Sequence, residues 1–326
     1  MKFRLTFFCL LVLWVLFSKN YALEFSDVSE HDSFSPSVQY LSEIQVFRGY
    51  GDGMFRPDQI INRAEALKVV LSIINIPEEE KKLANTFAVS FSDVSENAWF
   101  LPFLKQGVAL GIVDGSAEKF FPERPVNRAE FFKMVITAFD IDLSHYEFSV
   151  PLVDVPPEAW FSPYFQFFVI EKIFTPSPES TVNPGALVSR GEGSELIFRF
   201  LQQGQGLEKS ILIRLSTQKI NKTIDQLISK NGEEAEKSLK TAKKWAQFFL
   251  ASDRILDKNV IFLEQVTKTL EHLVKGYQAL ENKNFEVAIT EAKTGWHSAD
   301  ILEDESFKFA LKQFANGIAE VARDNS

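Results

Sequence analysis

The chain has 326 residues, 45% of them hydrophobic, with 35 Lys and Arg against 44 Asp and Glu for a formal charge of -9. That length exceeds one average domain of about 100 to 200 residues and supplies enough apolar material for two packed cores. Its acidity disfavours nonspecific nucleic-acid binding, and a single cysteine, Cys9, cannot form an intrachain disulfide.

Lys2 and Arg4 precede an apolar run from Leu5 to Phe17, a polar break at Ser18 to Asn20, and Ala22. This order predicts a secretory signal peptide over 1–22, cut after Ala22. As a helix the run spans roughly 20 Å, short of the ~30 Å hydrocarbon core. Cleavage would remove Cys9 and three basic residues, leaving 32 basic against 44 acidic groups and a charge of -12. The expected mature chain then lacks Cys metal sites and thiol chemistry, and it has no membrane anchor, since no second apolar stretch of 18 or more residues follows.

From Glu24 onward the chain repeats itself. Asp-Val occurs at Asp27, Asp93 and Asp154, and an arginine motif follows after 36, 35 and 36 residues: INRAE at 61–65, VNRAE at 126–130 and VSRGE at 188–192. Pro57, Pro122 and Pro184 precede the arginines by six positions, and Phe34-Pro36, Phe100-Pro102 and Phe161-Pro163 also align. Trp99 and Trp160 correspond to Ser33 in the first copy. Each copy reads as helix, loop, helix, for example a first helix over 36–47, a Gly/Asp/Pro-rich loop over 48–59 and a second helix from the arginine. Asn62, Asn127 and Ser189 occupy N-cap positions with Glu65, Glu130 and Glu192 three residues on, the pattern of a capping box. Behind each cap an apolar stripe needs a partner, which predicts three copies stacked around a shared core.

The Asp-Val pair, the Trp, the Asp-Gly loop, the proline and the Arg-Ala-Glu helix start together resemble the S-layer homology family, with repeats over 24–76, 90–140 and 151–202. The third copy departs from the pattern: Pro176 to Ser180 replace Gly49 to Gly53, and Gly191 replaces the motif alanine. The resemblance implies an all-α, pseudo-threefold bundle of three helix-loop-helix repeats. It also implies grooves that bind an anionic cell-wall polysaccharide, often pyruvylated, or a peptidoglycan-linked glycan, with Arg63, Arg128 and Arg190 as the glycan contacts.

An arginine at the first helical position is electrostatically unfavourable by about 0.3 to 1 kcal/mol, because the helix N-terminus is itself positive. An anion could meet both the guanidinium and free helix N–H groups there. Alternatively each arginine pairs with an acid such as Asp27, Asp93 or Asp154, orienting a loop and binding nothing; the resemblance favours the ligand. The three glutamates are explained by capping. Trp99 and Trp160 could stack on sugars, but an aromatic beside a buried helix start reads as core. Asp52 and Asp58 lack the spacing of a calcium loop and read as turn residues. His31, His145, His272 and His297 show no paired metal spacing, so neither a metal nor a cofactor is expected. No phosphate loop, GxSxG elbow or HExxH is present, so catalysis is not expected.

Gln203 to Gly206 read as a linker, and 207–326 as an all-helical domain with breaks near Asn231-Gly232, Ser252-Asp253, Asn282 to Asn284 and Asp304. Phe307, Leu311, Phe314, Ile318 and Val321 predict a packing seam. Residues 276–295 are similar to one tetratricopeptide helix pair, with Gly276, Ala279, Phe285, Ala288 and Ala292 in place; a tight αα-hairpin explains the same small residues. The reading is a secreted, noncatalytic protein retained at the cell wall, on the cell surface or the periplasmic face of the envelope, with a possible protein partner for 207–326. Two rivals remain: an assembly or adaptor protein using both regions for protein contacts, and a wall-active hydrolase.

Overall fold

The computed structural model describes residues 25–326 apart from 75, 87, 146–149, 206 and 253–257; the expected signal peptide at 1–22 lies outside the described residues. The fold is all-α, and among the described residues the only β-type pairings are three isolated bridges. Two compact units divide the chain at Gln205/Gly206.

The first unit contains α1 (Ser35–Glu43), α2 (Arg63–Ser72), α3 (Glu78–Thr86), α4 (Leu101–Ala109), α5 (Arg128–Ala138), α6 (Ser162–Ile170) and α7 (Arg190–Phe200). Each repeat supplies a nine-residue first helix, α1, α4 or α6, opened by a proline that presets φ without needing an N–H partner. The first helix is shorter than the 36–47 expected. After Glu43 the chain turns through Gln45 at φ 61° and folds Val46 and Phe47 back so that both N–H groups reach the Leu41 carbonyl. Gly111 and Lys172 make the same left-handed turn after α4 and α6. Helix α3, with three glutamates in its first turn, lies in the chain between the first two repeats, outside the helix-loop-helix pattern of either.

The repeats interlock in a cycle. Helix α4 of the second repeat packs on α2 of the first, α6 of the third on α5 of the second, and α1 of the first on α7 of the third. At the centre Ile61 N–H donates to the Val188 carbonyl, Val188 to Val126, and Val126 to Ile61, at 3.0, 2.9 and 3.1 Å. This closed ring of three backbone bonds gives the unit its pseudo-threefold character. Gly191, the irregular motif residue of the third copy, sits where a Cβ would lie 3.2 Å from both Cβ and the carbonyl oxygen of Pro57, tighter than ordinary contact. The sequence departure thus preserves the junction geometry.

Residues Leu201–Gln205, expected in part as linker, instead form a π-helical turn continuing from α7. The second unit follows with α8 (Lys209–Ile228), α9 (Gly232–Ser252), α10 (Lys258–Glu281), α11 (Phe285–Ser298) and α12 (Glu305–Asn325). Successive helices pack on one another, and α10 also touches α8 and α12, so its Leu263, Val266, Leu270 and Leu273 form the centre of the core. The α10–α11 hairpin is tight: a Cβ on Gly276 would meet the backbone of Ala288 and Ala292 at 3.5 Å. In the α12 seam Phe307, Leu311 and Ile318 are buried, whereas Val321 is exposed and Ala322 is buried in its place.

Candidate functional site

Each Asp-Val aspartate stays within its own repeat. Asp27 accepts from the N–H groups of Phe55 and Arg56, Asp93 from Phe120 and Phe121, and Asp154 from Val182 and Asn183, all at 2.6 to 2.9 Å. The second residue of each pair has a left-handed φ of 58°, 56° or 48°, a conformation that costs a non-glycine residue roughly 1 to 2 kcal/mol. The charge-assisted carboxylate bonds offset that cost and fix the loop. Among the described residues none of these aspartates forms an ion pair with a motif arginine; loop clamping takes the place of the expected intramolecular pairing of Asp27, Asp93 and Asp154.

The motif arginines instead reach into the next repeat. Arg63 Nε donates to the Phe120 carbonyl at 3.0 Å. Arg128 donates from Nη1 to the Val182 carbonyl at 2.8 Å and from Nε to Glu192 at 2.6 Å. Arg190, only 8% exposed, donates to the carbonyls of Phe55 and Arg48, both at 2.8 Å. The carbonyl contacted at 55, 120 or 182 belongs to the same residue whose N–H the aspartate holds. Aspartate, loop and arginine therefore form one relay around each junction.

The helix-start N–H groups are occupied as well. Arg63 and Ala64 donate to the carbonyls of Arg124 and Pro122, Arg128 and Ala129 to Ala186 and Pro184, and Arg190 and Gly191 to Gln59 and Pro57. An anion site built on free N–H groups at these positions is ruled out, because the neighbouring loop already accepts from them. What remains open is guanidinium. Arg63 has its two terminal nitrogens without a hydrogen-bond partner among the described residues, Arg128 has one, and Arg190 is nearly enclosed. Burial, reinforced by the positive charge of Arg124, lowers the Arg63 pKa against the opposing pull of Glu130, and burial also lowers that of Arg190.

Capping is complete at two helices. Asn62 and Glu65, and Asn127 and Glu130, exchange both bonds of the box, but at the third Ser189 accepts from Glu192 N–H while the Glu192 carboxylate turns to Arg128. Trp99 and Trp160 are not core residues. They are 54% and 55% exposed, each edge-on to the following Phe at 5.5 Å, because they precede their helices on the outer side and leave burial to Phe100 and to Phe165. Asp52 accepts from Met54 N–H and pairs with Arg56, as a turn residue does. Among the described residues no cluster of three His, Cys, Asp or Glu could hold a metal ion.

The family model described as S-layer homology domain matches residues 24–67 and 90–132. The chain is 26% identical over 174 residues to the Surface-layer 125 kDa protein of Lysinibacillus sphaericus, covering 51% of this chain and 14% of that one. It is 26% identical over 165 residues to the Cellulosome-anchoring protein of Acetivibrio thermocellus, 48% of this chain and 35% of that one. Likeness to the Exoglucanase XynX of Acetivibrio thermocellus is 20% over 190 residues, 57% of this chain and 17% of that one. The chain thus spans at most about a third of the length of these relatives. The third repeat, which the family model does not match, reproduces the same relay of aspartate, loop and arginine. Residues 24–67 and 90–132, two of the three repeats joined in this cyclic fold, are thus S-layer homology domains.

Proposed function

We propose that residues 24–205 hold this protein noncovalently to the cell wall by binding an anionic wall polysaccharide or a peptidoglycan-linked glycan, and that no catalysis is involved. The repeats make it a cell-surface protein, and no helix among the described residues is long and apolar enough to cross a membrane. The relatives named for a surface layer and for anchoring support attachment as the role.

The observation that carries the ligand reading is the open guanidinium edge of Arg63. Residues 24–205 hold 14 Lys and Arg against 26 Asp and Glu, so diffuse attraction for a polyanion is unfavourable and recognition has to be local. Arg63 offers two unsatisfied donor nitrogens in a partly buried position beside Arg124, where an arriving carboxylate gains a bidentate partner and relieves the repulsion between two cations. Arg128 is a second, weaker contact, and Arg190 is structural first.

Cosedimentation of the full chain with purified walls tests this. Arg63→Gln combined with Arg128→Gln should abolish pelleting while circular dichroism stays unchanged. Equal pelleting of wild type and variant would remove the arginines as the anchor, and absence of pelleting by wild type would leave protein contacts as the better account. Release of reducing ends from the same walls would overturn the noncatalytic reading.

A further inference from the structure

The charge of this protein is unevenly divided. Residues 24–205 hold 14 Lys and Arg against 26 Asp and Glu, whereas residues 207–326 hold 18 of each. Within that balanced unit basic groups gather on one edge. Residues 237–247 of α9 include Lys237, Lys240, Lys243 and Lys244 and no acid, and residues 265–280 of α10 include Lys268, Lys275 and a single acid, Glu271.

The two stretches face each other across one seam. Lys243 pairs with Glu271, and two turns further along Gln278 donates to Glu236 at 2.7 Å, so α9 and α10 run antiparallel with their centres in register. Leu239, Ala242 and Ala246 form the buried face of α9, and Thr267, Leu270 and Val274 that of α10. Lys240 and Lys243 of one helix, and Lys268 and Lys275 of the other, therefore border the solvent side of the seam, on axes about 10 Å apart. Glu271 is shared between Lys243 and Lys275, the second at 3.2 Å. Lys240 and Lys268 are exposed and form no ion pair among the described residues.

Such crowding does not stabilise the bundle. Lys240 and Lys243 repel at three-residue spacing, and one carboxylate shared by two ammonium groups leaves this edge with surplus positive charge. Ammonium groups are strongly hydrated point charges on flexible stems, so they suit a broad acidic surface met through salt-sensitive attraction. The repeats, with 26 acidic against 14 basic groups, are such a surface. Lys240 and Lys268 are exposed within a single chain, which leaves them open to a second copy.

We infer that the α9–α10 edge carrying Lys240, Lys243, Lys268 and Lys275 docks a second copy of this chain through that copy's acidic repeats. The contact joins two different surfaces, so each bound copy still offers its own edge and association continues head to tail. It adds assembly to attachment and does not depend on the wall-binding reading.

Sedimentation velocity of residues 23–326, which include every described residue, tests this over a range of concentrations. In about 20 mM salt the average sedimentation coefficient should rise steadily with concentration, with no plateau at a dimer, and in about 500 mM salt the protein should stay monomeric. Lys240→Glu combined with Lys268→Glu should move association to at least roughly ten-fold higher concentration, with circular dichroism unchanged. Lys283→Glu combined with Lys293→Glu changes the net charge equally at exposed positions outside the seam, and should associate as wild type does. The Lys240 and Lys268 variant keeps its acidic repeats, so mixing it with wild type should cap and shorten the assemblies. A monomer at every concentration in low salt, equal weakening by both double variants, or association insensitive to salt would overturn the proposal. Salt-sensitive binding to phosphatidylglycerol vesicles that requires Lys240 and Lys268, without self-association, would overturn it as well and assign the edge to a lipid surface.

Discussion

The junction between α5 and α6 and the junction between α1 and α7 share one backbone geometry and almost no side-chain chemistry. At the first, Phe132, Phe165 and Phe168 are fully buried, with Phe132 stacked on Phe168 at 3.9 Å and 2° between planes. At the second, Ser35, Ser37, Gln39, Ser42 and Ser194 are buried, Ser37 faces Ser194 at 3.4 Å, and Arg190 crosses to two carbonyls. Yet Ile61, Val126 and Val188 close their ring equally at all three positions. The backbone ring and the relay of aspartate, loop and arginine therefore define the fold, while the packing beneath each junction is free to diverge. The polar junction is the one that joins the first repeat to the last.

The largest expected effect lies at the aromatic junction. Phe132→Ala removes a fully buried ring and its stacked partner contact, and should cost about 3 to 5 kcal/mol in urea unfolding. Ser194→Ala, at the equivalent helical position of the third repeat, should cost about 1 kcal/mol or less. Similar losses for the two would mean the junctions are not chemically distinct.

Next comes Arg190→Ala, which strips the Phe55 and Arg48 carbonyls of their donor in a nearly enclosed position, and should cost about 3 kcal/mol. Arg63→Ala loses one such bond at a more open site and should cost about 1 kcal/mol, with its main effect on wall pelleting. A reversed order would show that Arg190 is the ligand contact and Arg63 the strut.

These cross-repeat roles mark where sequence reading ends. The spacing from aspartate to arginine, the caps at Asn62, Asn127 and Ser189, and the breaks near Asn231, Asn282 and Asp304 are local signals, and the helices begin and end there. Which loop meets which arginine is not local: Arg190 and Arg48 are 142 residues apart. Nor does periodicity reveal the outward placement of Trp99 and Trp160, since each precedes its helix and belongs to no apolar stripe. The left-handed turns at Arg56, Phe121 and Asn183 lacked any glycine to announce them. In the second unit Gly276, Ala288 and Ala292 meet as the tight hairpin reading expected, because small residues at helical spacing report directly on close approach.

A smaller effect separates the loop clamp from both junctions. Burial opposes ionisation of Asp93, but the N–H groups of Phe120 and Phe121 outweigh it and hold the pKa below its ordinary value. Because the folded pKa is depressed, the clamp contributes stability above the unfolded value near 4 and loses it as pH falls through the folded value. Asp93→Asn should therefore destabilise by about 1 kcal/mol at pH 7, and the difference from wild type should shrink below pH 4. A difference independent of pH would mean that side-chain shape, and not charge, holds the loop.

The smallest expected change has the opposite sign. Gln39 Oε1 and Ser42 Oγ are buried at the polar junction without a hydrogen-bond partner among the described residues, so each carries a desolvation penalty that no bond returns. Ser42→Ala removes one such atom while barely changing volume, and should be neutral or stabilising by up to about 1 kcal/mol. Because Gln39 also donates to Ser35, Gln39→Leu should gain less than Ser42→Ala. If the polar character of this junction only sets stability, both variants should pellet with walls as wild type does. Stabilised variants that bind walls less would instead mean that a loosely held first-to-last junction is needed for the grooves to accept glycan.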